Sequence, residues 1–331
     1  MELTTVWFIL IAVLWIGYLV LEGFDFGVGI LLPVLGKDEK NRRVLLNTIG
    51  PIWDGNEVWV LVAGGATFAA FPEWYATLFS GFYIPLFIIL IALIVRGVGF
   101  EYRSKRDSDK WRAGWDKAIF WGSLLPALLW GVALANIVRG VPIDENKEFV
   151  GNLFDLLNPY GLLGGLTTLF VFTTHGAIFV ALKTVGDIRE RARDIALKVG
   201  LVSVLIAGSF VLWTIISDPV LPVIIAGALA AVSLLAALFA NFKGREGYAF
   251  LGTALTIAFA AVMLFSSLFP DVMPSSIDAA YNLTTTNASS TDYTLTIMTW
   301  VAVVFTPIVL MYQGWTYWVF RKRIGVQNIP G

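Results

Sequence analysis

The chain has 331 residues, of which 57% are hydrophobic and 14% are charged, and its formal net charge is −1. Soluble globular chains carry about 25% charged residues, so the composition excludes an ordinary soluble protein and indicates an all-α integral membrane protein. With no cysteine and a single histidine, His175, the sequence also excludes disulfides, thiolate metal sites and a chain that holds several haems through histidine.

Apolar runs long enough to span a bilayer as helices, which takes about 20 residues, recur along the whole chain. The first run has no basic residue before it, so it is interpreted as a retained helix rather than a cleaved signal peptide. The sixth and seventh runs are separated only by "SDPVLP", whose prolines predict a tight turn between two spans. The predicted spans are 6–35, 51–71, 77–100, 118–139, 161–183, 196–216, 221–241, 249–269 and 294–319.

Basic residues are concentrated in alternate loops of this predicted topology. Of the 23 Lys and Arg residues, 20 lie in such alternate segments, and the intervening loops have almost none. Because cytoplasmic loops carry the excess of Lys and Arg, the pattern predicts an outside N-terminus and a cytoplasmic C-terminus. The basic segments are 36–50, 101–117, 183–198, 242–248 and the tail after residue 319.

Ionisable side chains interrupt the first three predicted spans. A charged side chain at the bilayer centre costs about 2.5–3.5 kcal/mol on insertion scales, so such residues are candidates for function. Glu22 and Asp25 in "LEGFDFGVG" are three residues apart and share a helical face. Asp54 and Glu57 in "WDGNEVW" repeat that spacing. The third span ends in "VRGVGFEYRSK", which adds Arg96, Glu101 and Arg103.

These groups are predicted to lie at graded depths in the cytoplasmic half of the membrane. At about 1.5 Å per residue, Asp25 lies about 15 Å above the inner end of the first span, and Asp54 lies about 6 Å inside the second. A graded series of ionisable groups that opens to one side is typical of a proton relay.

Structural interpretations stay open beside the relay. Glu57 and Glu101 lie near helix ends, where an acid is often only interfacial or salt-bridged, and their partners would then be Arg96 and Arg103. His175 can ligate a cofactor, but a hydrogen-bonded imidazole in the core is the favoured interpretation. Small residues let helices approach closely, so the glycines of "EGFDFGVG" and "WDGNEVWVLVAGG" predict that the first two spans pack together.

A family resemblance is carried by short stretches that run in order from residue 22 to residue 312. They are "EGFDFGVG", "WDGNEVW" followed by "AGGATFAAFP", "SGFY", "RGVGFEYRSK" before "WRAGWD", "VRGVP", "LLNPYGLLGG", "FPDVMPSS" and "MTWVAVVFTPIVLMY". Together these stretches closely resemble subunit II of the cytochrome bd-type quinol oxidases.

The resemblance implies one membrane domain over 1–331, with nine transmembrane helices. A first four-helix bundle would cover 1–140, a second 155–270, and a ninth helix 290–320. The implied partner is a homologous subunit I that holds two b-type haems, one d-type haem and the quinol, while this chain binds no cofactor and no metal. Lipid is expected around the complex, nucleic acid is not, and a small single-helix subunit and a quinone within this chain stay open. The implied location is a bacterial or archaeal cytoplasmic membrane.

The implied activity belongs to the complex, which oxidises quinol and reduces O2 to water, and not to this chain alone. This chain would scaffold subunit I and carry protons from the cytoplasm toward haem d, and Asp25, Asp54 and Glu101 match positions implicated in that path. Two alternatives are a proton-coupled secondary transporter and a purely structural partner subunit. The side chains expected to shape the path are Trp53, Asn56, Trp59, Arg96 and Arg103.

Overall fold

The computed structural model describes residues 2–329, so both ends of the predicted 1–331 domain lie outside the described residues. A short antiparallel pair, β1 (Asp271–Met273) and β2 (Leu283–Thr284), precedes the last long helix. The α-helices of this described part are α1 (Leu3–Leu35), α2 (Glu39–Ile49), α3 (Trp53–Ala70), α4 (Pro72–Gly81), α5 (Tyr83–Tyr102), α6 (Asp109–Arg139), α7 (Pro159–Lys183), α8 (Asp187–Ser217), α9 (Leu221–Phe242), α10 (Glu246–Leu268) and α11 (Asp292–Val319).

Within residues 2–329, eight helices are long and apolar enough to cross a membrane, namely α1 and α5 to α11. The predicted all-α membrane fold is therefore confirmed, and the chain is a multi-pass membrane protein. The second predicted span forms α3, an 18-residue helix whose first two turns carry Asp54, Asn56 and Glu57. These polar residues lower its mean hydropathy and set it apart from the other eight.

The long helices run between two ends of the molecule that differ in charge. The basic end is formed by α2, by the turns after α5, α7 and α9, and by the C-terminal tail. At this end, the Arg191 side chain donates to the Leu35 carbonyl at 3.0 Å. The acidic end is formed by segments 140–158 and 269–291. There the backbone of Ser290 donates to the Ala70 carbonyl at the end of α3, at 2.8 Å. Since α3 follows α2 directly, it runs from the basic end to the acidic end.

The segment 36–50, predicted as a basic loop, instead contains α2. Asp38 caps this helix, because its carboxylate accepts a hydrogen bond from the Asn41 backbone N–H at 2.8 Å. One face of α2 buries Val44, Leu45 and Ile49 against the core. The helix therefore covers the basic end of the molecule rather than forming a flexible connection.

The third predicted span, 77–100, is interrupted at Phe82 and divided between α4 and α5. The backbone leaves helical geometry at Phe82, and Pro85 lies in the first turn of α5, where the missing N–H costs no helical hydrogen bond. By contrast, the predicted turn between the sixth and seventh spans is confirmed, since α8 ends at Ser217 and α9 begins at Leu221.

Helix α1 lies at the centre of the fold and packs against α3, α6, α7 and α10. The predicted packing of the first two spans is confirmed, but the glycines of α3 do not produce it. A Cβ added at Gly55, Gly64 or Gly65 would meet nothing within 4 Å. Instead, the Trp59 ring of α3 covers Gly17 of α1, where an added Cβ would lie 2.2 Å from ring carbons.

Helix α11 lies on the outside of the other helices, with only 6% of its most apolar window buried. Near the acidic end, the Trp7 indole donates to the Leu295 carbonyl at 3.2 Å and to the Thr299 hydroxyl at 3.1 Å. At the basic end, the Lys183 ammonium donates to the Phe320 carbonyl. Side chains in the last two turns of α11 add a third attachment, which belongs to the candidate site.

Candidate functional site

A cluster of polar side chains is enclosed between α1, α3, α5 and α11, and is called here the polar cluster. Glu22 and Asp25 of α1 and Asn56 of α3 are 0% exposed, and Arg96 of α5 is 1% exposed. Burial on this scale is unusual for charged groups unless they are paired or hydrogen-bonded. The polar cluster consists of Glu22, Asp25, Asn56, Trp59, Arg96, Gln313 and Tyr317.

Arg96 forms a buried ion pair with Glu22. Its Nη1 donates to Glu22 Oε1, which joins α5 to α1. The guanidinium carbon also lies 4.8 Å from the ring centre of Phe26 and 5.3 Å from that of Phe100. Aromatic faces attract a cation, so these contacts help to hold the charge away from water. The pairing makes each charge depend on the other, since an isolated charge here would be strongly disfavoured.

Asp25 is joined to α3 by a hydrogen bond from the Asn56 side chain, whose Nδ2 lies 2.7 Å from Asp25 Oδ2. The Asn56 Oδ1 in turn accepts from the Tyr317 hydroxyl at 2.7 Å and from Gln313 Nε2 at 3.4 Å. The Trp59 indole completes this series of hydrogen bonds by donating to Gln313 Oε1 at 2.8 Å. One connected network therefore runs from α1 through α3 to α11.

Several polar atoms of this region are buried without a hydrogen-bond partner among the protein atoms. They are Asp25 Oδ1, Glu22 Oε2, Ser123 Oγ, and the Nε and Nη2 atoms of Arg96. Buried polar atoms in native proteins are nearly always hydrogen-bonded, so a concentration of such atoms calls for an explanation. A site that binds and releases protons provides one, because its groups must be able to change partners.

The other predicted site residues lie closer to the surface. Asp54 and Glu101 are exposed, and Glu57 is half-buried. Trp53 packs α3 against α5, with its ring centre 5.1 Å from that of Phe100. The two carboxylates at 54 and 57 thus differ in burial, although they share the spacing of Glu22 and Asp25.

Arg96 and Arg103, the partners left open for Glu57 and Glu101, form salt bridges with other acids: Arg96 pairs with Glu22, and Arg103 pairs with Glu39 and Asp116. Arg103 donates to both carboxylate oxygens of Glu39, at 2.8 and 2.7 Å, and to Asp116 at 2.6 Å. This network joins α2, the end of α5 and the start of α6 at the basic end.

Glu39 provides a test of that network through its acid dependence. Hydrogen bonds from Arg103 hold the pKa of Glu39 below its ordinary value of 4.5. A carboxyl whose pKa is lowered by folding stabilises the fold above the pKa of the unfolded chain, and this contribution is lost as pH falls through the folded-state pKa. We therefore expect Glu39→Gln to lower the thermal stability of the purified protein at neutral pH, by a difference that shrinks as the pH falls below the ordinary carboxyl range.

The control for this prediction is Glu101→Gln, since Glu101 is exposed at the same end of the molecule. It is expected to leave the stability unchanged at every pH. A Glu39→Gln difference that stays constant from neutral to acidic pH would show that the network contributes through packing and not through the charge of Glu39.

His175 is confirmed as a hydrogen-bonded core imidazole. Its Nε2 lies 3.2 Å from the Val20 carbonyl, which can only accept, so Nε2 carries the proton and Nδ1 accepts from the Thr253 hydroxyl at 2.6 Å. The ring also stacks on Phe250, with 4.6 Å between ring centres. Both nitrogens are therefore used within the protein. Among residues 2–329, no group of three or more His, Cys, Asp and Glu side chains is arranged to hold a metal ion.

Sequence reasoning missed Gln313 and Tyr317 in the polar cluster and Glu39 and Asp116 at the basic end. A usable signal existed for the first pair, since a glutamine and a tyrosine four residues apart share one face of an otherwise apolar helix. No comparable local signal relates residue 39 to residue 116, because their proximity depends on how three helices pack.

Comparison with known proteins gives the family. The family model described as cytochrome bd terminal oxidase subunit II matches residues 3–320. The chain belongs to this family. Among curated members of this subunit II family, "Cytochrome bd ubiquinol oxidase subunit 2" of Bacillus subtilis (strain 168) is 45% identical over 329 residues, covering 98% of this chain and 97% of that protein.

Two further similarities extend the comparison. "Cytochrome bd-I ubiquinol oxidase subunit 2" of Escherichia coli (strain K12) is 39% identical over 362 residues, covering 98% of this subunit II chain and 96% of that protein. A chain from the structure of bd oxidase from Geobacillus thermodenitrificans has a TM-score of 0.78, with 97% of this chain and 100% of that chain covered. At 16% identity, this last similarity shows the fold alone.

Proposed function

We propose that the chain is the haem-free subunit of a membrane complex that oxidises quinol and reduces O2 to water. Membership of the subunit II family supports this, as do relatives in two bacteria that are named as subunits of ubiquinol oxidases. The partner is a homologous subunit I that holds two b-type haems, one d-type haem and the quinol site. The location is a bacterial or archaeal cytoplasmic membrane.

The donor groups of this chain do not fit histidine ligation of a haem. The single histidine, His175, has both ring nitrogens engaged with Val20 and Thr253, so neither is free to bind iron. No step of the proposed mechanism is therefore assigned to a haem in this chain. Electron transfer belongs to the partner, and this chain contributes positioning and proton movement.

The proposed topology has nine spans, an outside N-terminus and a cytoplasmic C-terminus. The course of α3 from the basic end to the acidic end supports counting it as a span, since this direction keeps the alternation of the other helices. The excess of Lys and Arg at the basic end supports placing that end in the cytoplasm. The domain remains single, with bundles over 1–140 and 155–270 and a ninth helix over 290–320.

The polar cluster is proposed as part of a proton path that begins at the cytoplasmic, basic end. Asp54 is exposed in the first turn of α3, Glu57 is half-buried one turn further, and Asp25 is fully buried. Protons would enter at Asp54, pass Glu57 and load Asp25, while the Glu22–Arg96 pair sets the local field. The observation that carries this proposal is the buried Asp25 carboxyl, which has one oxygen hydrogen-bonded and the other without a protein partner.

The test is Asp25→Asn in the assembled complex. Because the amide cannot carry the proton, oxidase turnover is expected to fall by about 100-fold, the lower end of the effect of losing a positioned proton-transfer group. Asp54→Asn is expected to cause a smaller loss, since water can replace an exposed carboxylate. Oxygen consumption with quinol measures turnover, and haem content in the same samples checks assembly.

The matched control is Glu145→Gln, which removes an exposed carboxylate at the acidic end. It is expected to keep full turnover. If the Asp25→Asn, Asp54→Asn double variant keeps full haem content, turnover and proton uptake, the proton path is wrong and the chain is a purely structural partner. A chain that purifies without a haem-bearing partner and transports a substrate with protons would instead establish the transporter alternative.

A further inference from the structure

We propose that Gln313 and Tyr317 of α11 are positioning residues for Asp25. Together with Trp59, they fix the side-chain amide of Asn56 so that its NH2 group, and not its oxygen, always faces the Asp25 carboxyl. This inference deepens the proposed function, since it rests on Asp25 being the proton carrier. The polarity of the hydrogen bonds is set at both ends of the network and determines the orientation of Asn56 between them.

From the α11 side, the polarity is set by Trp59. An indole N–H can only donate, so the Gln313 atom that lies 2.8 Å from it is the amide oxygen. The Nε2 of Gln313 must then point toward Asn56, where it lies 3.4 Å from Oδ1. The Tyr317 hydroxyl approaches the same Oδ1 at 2.7 Å and also donates.

From the α1 side, the polarity is set by the backbone. The Leu21 carbonyl can only accept, and it lies 3.4 Å from the Nδ2 of Asn56. If the Asn56 amide were reversed, its oxygen would face the Leu21 carbonyl and Asp25 Oδ2, and its NH2 group would face the Gln313 NH2 group. The contact with Leu21 would then join two acceptors and the contact with Gln313 two donors, whatever the protonation state of Asp25, and the contact with an ionised Asp25 would also join two acceptors. Both ends of the network therefore permit a single orientation of Asn56.

The fixed amide distinguishes the two oxygens of Asp25. Oδ2 accepts from Asn56 at 2.7 Å in every state of the carboxyl, so the proton of the acid form is carried by Oδ1. Oδ1 is buried and accepts no hydrogen bond from a protein donor, and the Glu22 carboxyl lies within hydrogen-bonding reach of the Asp25 carboxyl. Asn56 thus directs protonation to the oxygen that accepts no hydrogen bond from the protein.

The placement of the two α11 residues fits this role. Most of α11 is exposed, whereas Gln313 and Tyr317 are half-buried and lie four residues apart on the face that meets α3. A purely mechanical attachment of α11 would need no particular hydrogen-bond polarity. The inference therefore predicts a signature in the Asp25 carboxyl itself and not only in the stability of α11.

Infrared difference spectroscopy of the intact complex measures that signature. In protonated Asp25, Oδ2 is the carbonyl oxygen, and the hydrogen bond from Asn56 lowers the frequency of its stretching band. Asp25→Asn identifies the band by abolishing it. Tyr317→Phe and Gln313→Leu remove the donors that fix Asn56, so each is expected to shift the band to higher frequency, and the double variant is expected to shift it further.

Two controls make the test specific. Tyr312→Phe removes a hydroxyl from an exposed position on the same helix and is expected to leave the band unchanged. Haem content reports assembly, and Tyr317→Phe keeps the aromatic ring, so its packing is preserved. An unchanged band in both Tyr317→Phe and Gln313→Leu would overturn the proposal, as would the lack of any Asp25-dependent band in the unmodified complex.

The outcome also separates this inference from the proposed function. If the band shifts as expected while Asp25→Asn keeps full turnover, then Gln313 and Tyr317 position the carboxyl, but the carboxyl does not limit proton delivery. If Asp25→Asn loses turnover while the α11 variants leave the band in place, the proton path stands and the positioning role fails.

Discussion

Replacing Arg96 with methionine is expected to destabilise the subunit by about 3–5 kcal/mol, because it leaves the Glu22 carboxylate buried without its counter-ion. Arg96 is 1% exposed and Glu22 is 0% exposed, so water cannot replace the lost partner without opening the helix packing. The side chain of methionine fills part of the space beside Phe26 and Phe100. Thermal inactivation of the purified complex, followed by haem release, measures the loss.

The double variant Glu22→Gln with Arg96→Met identifies the physical cause. Removing both charges leaves no isolated ion, and replacing a buried ion pair by neutral groups is often close to neutral in stability. Most of the loss is therefore expected to be recovered. Lys105→Met, at an exposed position, is the control and should change little. Equal losses in the single and double variants would mean that Arg96 contributes mainly through its contacts with the aromatic rings.

Local signals explain how much of the fold could be predicted. Each of the nine predicted spans contains or overlaps a long helix of the described chain. These spans could be predicted because long apolar runs, and the charges and prolines between them, are visible in the sequence without any knowledge of packing. Helix α2 was missed because its three basic residues dominate a short segment whose apolar positions, such as Val44 and Ile49, are few. The division at Phe82 was missed because it falls inside an unbroken apolar run, in which Pro85 is the one residue that favours the start of a new helix.

The polar cluster shows where such signals end. Spacing within one helix placed Glu22 beside Asp25, but it could not pair residues on different helices. Glu22 and Arg96 are 74 residues apart, and Asn56 and Tyr317 are 261 apart. Asp54 illustrates the same limit, since its spacing from Glu57 matches the buried pair of α1 although its side chain is exposed. Which face of α3 meets α1 is decided by packing.

Helix α1 carries both acids of the polar cluster, and its contact with α7 is made backbone against backbone. A Cβ added at Gly27 would lie 2.1 Å from the Phe172 carbonyl oxygen and 2.8 Å from the Gly176 Cα. Overpacking usually lowers the free energy of unfolding by about 1–3 kcal/mol. Gly27→Ala is expected to lower it by about 3 kcal/mol or more, because backbone atoms cannot rotate away from the added methyl group as a side chain can. The measurement is thermal inactivation of the complex.

Gly27 is only two residues from Asp25, so a displacement of α1 by Gly27→Ala is also expected to lengthen the hydrogen bond between Asp25 and Asn56. Turnover of the complex is therefore expected to fall at temperatures at which the complex is still folded. Gly208→Ala in α8 is the matched control, since a Cβ there would meet nothing within 4 Å, and it should keep both stability and turnover. Full stability in Gly27→Ala would contradict the backbone contact between α1 and α7. Lost stability with unchanged turnover per haem would instead show that the polar cluster keeps its geometry when α1 moves.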